Sequence, residues 1–154
     1  MIRLIAPVIL FVLLAINPTY SQKSFTREDT LRGSITPERA WWDLNYYHLA
    51  VEIFPETKTI KGSNTIRYKV LTESQVLQLD LQEPLKITSI VQAGENLHFK
   101  REGAAHFVSL KKKQVPGSAE ELIVSYEGQP KEAIRPPWDG GITWTKDSNG
   151  KPFI

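Results

Sequence analysis

The strongest constraint on the fold of this chain is a long alternation of apolar and polar residues between Asp43 and Val70. Successive side chains of a β-strand point to opposite faces, so strict alternation indicates a strand with one buried face. The pattern forms two strands, and Pro55 with short polar residues between them suits a chain reversal. We therefore predict a β-hairpin that is dry on one face and wet on the other. Its first strand has Tyr47, Leu49, Val51 and Ile53 on one face and Tyr46, His48 and Glu52 on the other; its second has apolar Ile60, Ile66, Tyr68 and Val70.

Further short apolar segments recur along the chain at the spacing of strands. They are Leu77–Leu81, Leu85–Val91, Leu97–Phe99, Ala105–Leu110, Leu122–Tyr126 and a final hairpin over Ile142–Ile154 that turns at Asn149-Gly150. Thr36-Pro37-Glu38 predicts the start of a helix, because the Thr36 hydroxyl could cap the N-terminus and proline is favoured in the first turn. This helix can last only a turn or two before the first strand begins. These features predict an all-β fold, an antiparallel module of sandwich or saddle type.

The first 21 residues have the pattern of a secretory signal peptide. Arg3 precedes the apolar run Leu4–Ile16, and small residues near Ser21 suit signal peptidase. The alternative is a membrane anchor, but about 13 apolar residues are fewer than the roughly 20 that span a bilayer. We predict export to the periplasm or the cell exterior, with no membrane attachment after cleavage.

Three segments follow from this pattern. We predict a signal peptide over residues 1–21, a flexible leader over 22–35 and a β-domain over 36–154. The chain stops inside the second arm of the last hairpin, so we expect a β-domain that is incomplete at its C-terminus.

The chain has 19 Lys and Arg against 17 Asp and Glu, too even a balance to indicate a nucleic-acid partner. It has no cysteine, so burial alone must stabilise it in an oxidising compartment.

The three histidines are the first candidates for a metal or a general base. His48 and Glu52 share a strand face but lie about 13 Å apart along the strand. His98 and His106 lie on different predicted strands without an acid at ligand spacing, whereas zinc needs three or four converging ligands. We therefore expect three surface histidines and predict no metal ligand and no catalytic residue.

The other candidate sites also have plainer explanations. Lys111–Lys113 could bind phosphate, but three lysines in a reversal beside Glu120 and Glu121 are typical of a solvated loop tip. Four tryptophans could form a carbohydrate platform, but packing at the ends of the module is the favoured interpretation; they are Trp41, Trp42, Trp138 and Trp144. Asp139-Gly140-Gly141 lacks the lysine of a phosphate loop and the acid spacing of a calcium loop.

Several ordered phrases of the sequence resemble one family. They are RAWWDLNYYHLAVEIFPETKTIKGSNTIRYKV from Arg39, then LQLDLQEPLKITSI, ELIVSYEGQP and PPWDGGITWTKDSNGKPFI. Together they resemble the N-terminal part of the aminopeptidase N family of zinc metallopeptidases, peptidase family M1, and the last phrase is similar to secreted bacterial members. The resemblance covers nearly all of residues 36–154.

The resemblance implies most of a saddle-shaped N-terminal β-domain, which in that family packs on a thermolysin-like catalytic domain and closes one side of the peptide cleft. The family removes N-terminal residues from peptides with a zinc-bound water. Its His-Glu-x-x-His and Gly-x-Met-Glu-Asn motifs have no counterpart here, because no histidine precedes a glutamate and the only methionine is Met1. Zinc is therefore implied for a full-length parent enzyme, whereas this chain is expected to bind no cofactor and to be inactive alone.

Two functions remain open from the sequence. The first is a non-catalytic domain, or fragment, of an exported zinc metallo-aminopeptidase that shapes the cleft for peptide substrates. The alternative is a free-standing exported β-sandwich that binds peptide, glycan or another protein through its aromatic ends. A domain that normally packs on a larger partner should expose an apolar patch of more than a few hundred Å².

Overall fold

The computed structural model describes residues 24–154, which form two short helices and ten strands. In chain order these are α1 (Arg27–Gly33), α2 (Pro37–Ala40), β1 (Trp42–Phe54), β2 (Thr59–Val70), β3 (Ser74–Asp80), β4 (Lys86–Gln92), β5 (Glu95–Asn96), β6 (His98–Glu102), β7 (Ala105–Gln114), β8 (Ala119–Gly128), β9 (Thr145–Lys146) and β10 (Pro152–Phe153). The signal peptide predicted for residues 1–21 lies outside the described residues. Within residues 24–154 no helix has the length and apolar character needed to cross a bilayer.

The strands form two main sheets, which confirms the predicted all-β antiparallel fold. The large sheet has the order β1-β2-β8-β4-β5, and the small sheet has the order β3-β7-β6. β9 and β10 pair separately as a small hairpin, and all pairings between these strands are antiparallel. The predicted final hairpin is therefore present among the described residues, although its strands are only two residues long.

The hydrophobic core lies between the large and the small sheet. Its buried side chains come from both sheets and from the segments that join them: Trp41, Ile66, Tyr68, Val70, Leu77, Leu79, Ile90, Leu97, Val108, Leu110, Leu122 and Val124. Alternation in β2, β7 and β8 places these residues on the inner faces, as expected for stacked sheets that each bury one face. The domain is thus held by the burial of apolar side chains between two layers.

The hairpin predicted over Asp43–Val70 is present, but its burial differs from the prediction. β1 pairs with β2 from Trp42 opposite Val70 to Phe54 opposite Thr59, with a bulge at Asn45. In β2 the apolar side chains of Ile66, Tyr68 and Val70 are buried as predicted. The prediction of a dry face is wrong for β1, because beyond Trp42 each of its residues is exposed.

The predicted leader over residues 22–35 contains a short helix in its described part, from residue 24 on. This helix, α1, begins with a capping box: the Asp29 amide donates to Thr26 Oγ1 over 3.2 Å, and the Thr26 amide donates to the Asp29 carboxylate over 3.0 Å. Leu31 is buried against the small sheet, and Arg27 pairs with Glu102 on β6. A capping box and a single apolar anchor hold a helix too short for a periodic pattern to reveal.

Gln78 attaches this N-terminal segment to the outer face of the small sheet. Its buried amide donates to the carbonyl oxygen of Leu31 over 3.2 Å and accepts the Thr36 hydroxyl over 2.7 Å. The predicted short helix is present as α2, but Thr36 at its N-cap makes no side-chain capping bond, because its hydroxyl is used by Gln78. An ion pair between Arg39 and Asp80 adds a second link to β3.

Candidate functional site

The most prominent surface of the domain is a line of exposed apolar side chains on β1, which we call the β1 row. It consists of Leu44, Tyr47, Leu49, Val51 and Ile53, and each is between 39% and 61% exposed. Residues directly opposite in an antiparallel pair share a face, and Leu44 and Tyr47 lie opposite the buried Tyr68 and Ile66. The β1 row is therefore on the same face of the large sheet as the core.

The β1 row is exposed because the small sheet covers only part of the large one. β3 ends at Asp80, close enough to Tyr47 that partial burial and then the Asp80 carboxylate raise the pKa of the Tyr47 phenol. Beyond Tyr47 only the β1 edge of this face is open: Leu49, Val51 and Ile53 stay exposed, whereas Val124 and Tyr126 on β8, at the same level of the large sheet, are buried. β2 shows the same division, because it is buried at its Val70 end and only half-buried from Thr59 to Thr65, with Lys61 exposed.

The exposed apolar area of the β1 row is on the order of 400 Å², from the size of its side chains and their exposed fractions. A patch of this size on a monomer is often functional. Asn64, opposite Leu49 and Val124, has a buried Oδ1 without a hydrogen-bond partner among the described residues. The exposed β1 row therefore lies beside an unsatisfied buried acceptor on β2.

The structure does not bring the three candidate histidines together in one site within residues 24–154. His48 and His98 lie on exposed strand positions, as expected. His106 contradicts the expectation of a surface residue, because it is 1% exposed within the small sheet, opposite Leu79 on β3 and Arg101 on β6. Within residues 24–154 no three His, Cys, Asp or Glu side chains converge to hold a metal ion. The described residues thus offer no ligand set for zinc, which the family resemblance implies only for the full-length parent enzyme.

His106 is held by its neighbours as a neutral core residue. Its Nδ1 lies 3.1 Å from the carbonyl oxygen of Ala104, and its ring packs against Phe99 with the ring centroids 5.8 Å apart. Burial lowers the pKa of His106 below its usual value, and this outweighs the Ala104 carbonyl contact, which acts in the opposite direction. The sequence did contain a signal for this burial, because His106 is in period-two register with Val108 and Leu110, whose side chains lie in the core.

His106 is expected to make the domain sensitive to acid. Because its folded-state pKa is lowered, its contribution to stability is fully present above the unfolded-state pKa of about 6.5 and is lost as the pH falls through the folded-state value. The free energy of unfolding should therefore decrease below about pH 6.5. Urea unfolding at a series of pH values checks this, and His106→Leu should flatten the decrease; an identical pH profile in the variant would contradict the assignment.

Lys111–Lys113 do not form the predicted loop tip, because they lie in β7 as exposed strand residues. Lys113 pairs with Glu73, and its hydrogen bond to that carboxylate raises its pKa. The three lysines line a cavity of about 300 Å³ together with Glu95 and Glu120. The acids oppose the positive charge, so the arrangement does not favour an anion.

A buried polar cluster beside this cavity has no signal in the sequence. The Gln92 amide donates to the Tyr68 hydroxyl and to Gln114 Oε1 over 3.2 Å each, and the Tyr68 hydroxyl donates to the same Gln114 oxygen over 3.3 Å. Burial raises the pKa of Tyr68 far above its usual value, so its phenol stays protonated. Because these groups satisfy one another's hydrogen bonds, we infer that the cluster stabilises the fold and is not a binding site.

The tryptophans divide between core and surface. Trp41 and Trp42 pack against Tyr68 with ring centroids 5.9 and 5.6 Å apart, which agrees with the packing interpretation. Trp138 is 87% exposed and does not seal an end of the module. The buried indole N–H of Trp144 has no partner among the described residues. No aromatic platform therefore forms from all four.

Asp139 organises the loop before the last hairpin. Its carboxylate accepts the backbone N–H groups of Ile134 and Arg135 over 2.6 and 3.0 Å, and these bonds, led by that of Ile134, lower the pKa of Asp139. The carboxylate is thus used for loop structure, in agreement with the absence of a calcium-loop or phosphate-loop pattern.

Comparisons with known proteins show which solved structures have a similar fold. No family model and no curated protein matches the chain. Among solved structures, a variant M1 zinc metallopeptidase from Deinococcus radiodurans superposes with a TM-score of 0.55 at 19% identity over 64% of this chain and 23% of that one. A form of it bound to a Tyr-Ser-Ala substrate gives a TM-score of 0.56 at 18% identity over 70% and 24%. A two-domain M1 zinc metallopeptidase bound to L-arginine gives 0.55 at 17% identity over 73% and 28%.

These similarities establish the fold. This chain has the β-architecture of a domain found in M1 zinc metallopeptidases, and it spans about a quarter of the length of those solved structures. At 17–19% identity the likeness concerns the fold alone.

Proposed function

We propose that this chain is the N-terminal, non-catalytic β-domain of an exported zinc metallo-aminopeptidase of the M1 type. In this role it packs on a catalytic domain and shapes one side of the cleft that receives peptide substrates. The likeness of the fold to a quarter-length part of M1 zinc metallopeptidases supports the family. The signal-like segment before Ser21 supports export.

The observation that carries the proposal is the β1 row. A free-standing sandwich normally covers the inner face of its sheet, because exposed apolar surface costs about 25 cal/mol per Å². Here Leu49, Val51 and Ile53 continue the core face without a covering layer among the described residues. A catalytic domain seated on the β1 row would bury this surface and complete the core.

The proposal assigns no chemical step to this chain. Activation of a water by zinc requires three protein ligands, and the described residues do not provide them. Zinc belongs to the catalytic domain of the proposed parent enzyme, where it would supply the activated water. In this proposal the residues of this chain provide a surface for packing on the catalytic domain and shape one side of the peptide cleft.

The reading frame after Ile154 gives the first test. We expect it to encode Gly-x-Met-Glu-Asn and His-Glu-x-x-His, and the encoded catalytic domain should copurify with this chain when the two are coexpressed. The assembled pair should hydrolyse an aminoacyl-anilide in the presence of zinc, whereas this chain alone should show no more turnover than a heat-denatured sample.

The Leu49→Asp variant tests whether the proposed catalytic domain binds to the β1 row. Leu49 is 61% exposed, so the variant should fold, but the charge should weaken copurification by about tenfold or more because a carboxylate would be buried without a partner. Ser109→Asp, at an exposed position of β7, is the matched control and should bind as the original does. A downstream frame without either motif would favour the alternative of a free-standing binding module.

A further inference from the structure

β1 presents an open sheet edge as well as an exposed face. It is the outermost strand of the large sheet, and β2 is its only strand partner among the described residues. Along its 13 residues, about half of the backbone N–H and C=O groups point away from β2. Native edge strands are usually protected by short length, Lys, Pro or bulges. β1 contains no Lys, Arg or Pro, and its one bulge is near its start, at Asn45.

We propose that two copies of this chain associate through antiparallel pairing of β1 with β1, about a two-fold axis that passes at Ala50. This pairing joins the two large sheets into one continuous sheet. It covers residues 46–54, the part of β1 that follows the bulge, over a length of about 30 Å. The bulge ends the regular ladder at both sides of the dimer.

The sequence of β1 is complementary to itself in this register. Each opposed pair occurs twice around the axis: Tyr46 with Phe54, Tyr47 with Ile53, His48 with Glu52, and Leu49 with Val51, while Ala50 meets Ala50. Apolar side chains thus meet apolar side chains on both faces, and these side chains are between 38% and 61% exposed in the single chain. Cross-strand pairs of these kinds each contribute about 0.2–1 kcal/mol.

The pair of His48 and Glu52 fixes the register. Within one chain these residues are about 13 Å apart along the strand, so they cannot contact each other. Antiparallel pairing about Ala50 brings each of them opposite its counterpart in the second copy. Registers shifted by two residues keep the two faces but place Glu52 opposite Ala50 or Tyr46, and shifts by one residue place apolar side chains on the polar face.

The dimer is independent of the proposed function. It uses the open edge of β1, whereas the proposed catalytic domain covers the β1 row from the core side. Strand pairing through the edge leaves that side of the large sheet open. The two proposals can therefore fail separately.

Analytical ultracentrifugation of the full chain, secreted through its own N-terminal segment, tests the proposal. We expect a concentration-dependent and closed monomer–dimer equilibrium at micromolar concentration. Ala50→Lys should abolish the dimer, because two lysines would meet at the axis. His48→Glu should raise the dissociation constant roughly tenfold, because it opposes Glu52, and His48→Lys should retain the dimer. Ser109→Lys, an exposed strand position away from β1, should have no effect.

Hydrogen exchange by NMR gives the second readout and does not depend on one variant folding. Alternate amides of residues 46–54 should become protected as the concentration rises. A chain that stays monomeric, or a dimer that both Ala50→Lys and His48→Glu leave unchanged, would overturn the proposal. Protection of these amides only when the catalytic domain is added would also overturn it, while leaving the proposed function intact.

Discussion

Trp41→Ala is expected to lower the free energy of unfolding by about 3–5 kcal/mol, which is a large part of the stability of a small domain. Trp41 is 3% exposed and packs edge-to-face on Tyr68 in the core. Its indole N–H donates to the carbonyl oxygen of Val76 over 2.7 Å, and its own carbonyl oxygen accepts the amides of Leu71 and Thr72. The alanine variant keeps the backbone bonds but leaves a cavity between the sheets, and it removes the shorter of two hydrogen bonds to the Val76 carbonyl oxygen, which also accepts the Ser74 hydroxyl over 3.4 Å.

Trp138→Ala is the matched control for this prediction. Trp138 is 87% exposed, so its removal should change the free energy of unfolding by no more than about 0.5 kcal/mol. Urea unfolding followed by circular dichroism measures both variants. Equal effects of the two substitutions would contradict the assignment of Trp41 to the core and of Trp138 to the surface.

Gly62→Ala is expected to destabilise the domain by about 2–3 kcal/mol, because there is no space for a side chain at this point of the large sheet. A Cβ at Gly62 would overlap the carbonyl oxygen of Ala50 on β1 and lie 3.0 Å from the Tyr126 hydroxyl oxygen. The first obstacle is backbone, so β1 would have to move away from β2. The glycine thus allows Tyr126 to lie against the centre of the β1–β2 pair.

Gly33→Ala is the corresponding control. A Cβ at Gly33 would meet nothing within 4 Å, and Gly33 is the last residue of α1, where alanine should be neutral or slightly stabilising. Thermal unfolding of the two variants separates them, because the Gly62 variant should lose several degrees. A Gly62 variant that melts with the original protein would show that β1 can move away from β2 at little cost.

The β1 row illustrates what alternation can and cannot predict. The period-two pattern correctly placed Tyr47, Leu49, Val51 and Ile53 on one face, because that face is set by the local geometry of an extended chain. The pattern could not show that this face is exposed, because a covering layer would come from residues that are distant in the chain. The small sheet has three strands, and β3 ends near Tyr47.

The helix at the N-terminal segment and the buried His106 are further cases in which local patterns were insufficient. α1 is seven residues long and depends on contacts with the small sheet through Leu31 and through Gln78. The polar residue type of His106 suggested the surface, but His106 shares its period-two register with Val108 and Leu110 and lies on the core side of the small sheet beside Leu79. In both cases burial depends on which element is stacked above a face, and this is a property of segments distant in the chain.

The sequence by itself determined the fold class, the β1–β2 hairpin, the short helix after Thr36 and the absence of a zinc motif, because periodicity, turn residues and motif spacing are local properties. Only the tertiary structure decided which apolar face is buried. The core covers the Val70 end of β2 and leaves the β1 row open, because the small sheet has three strands, the large sheet has five, and β1 is an edge strand of the large sheet.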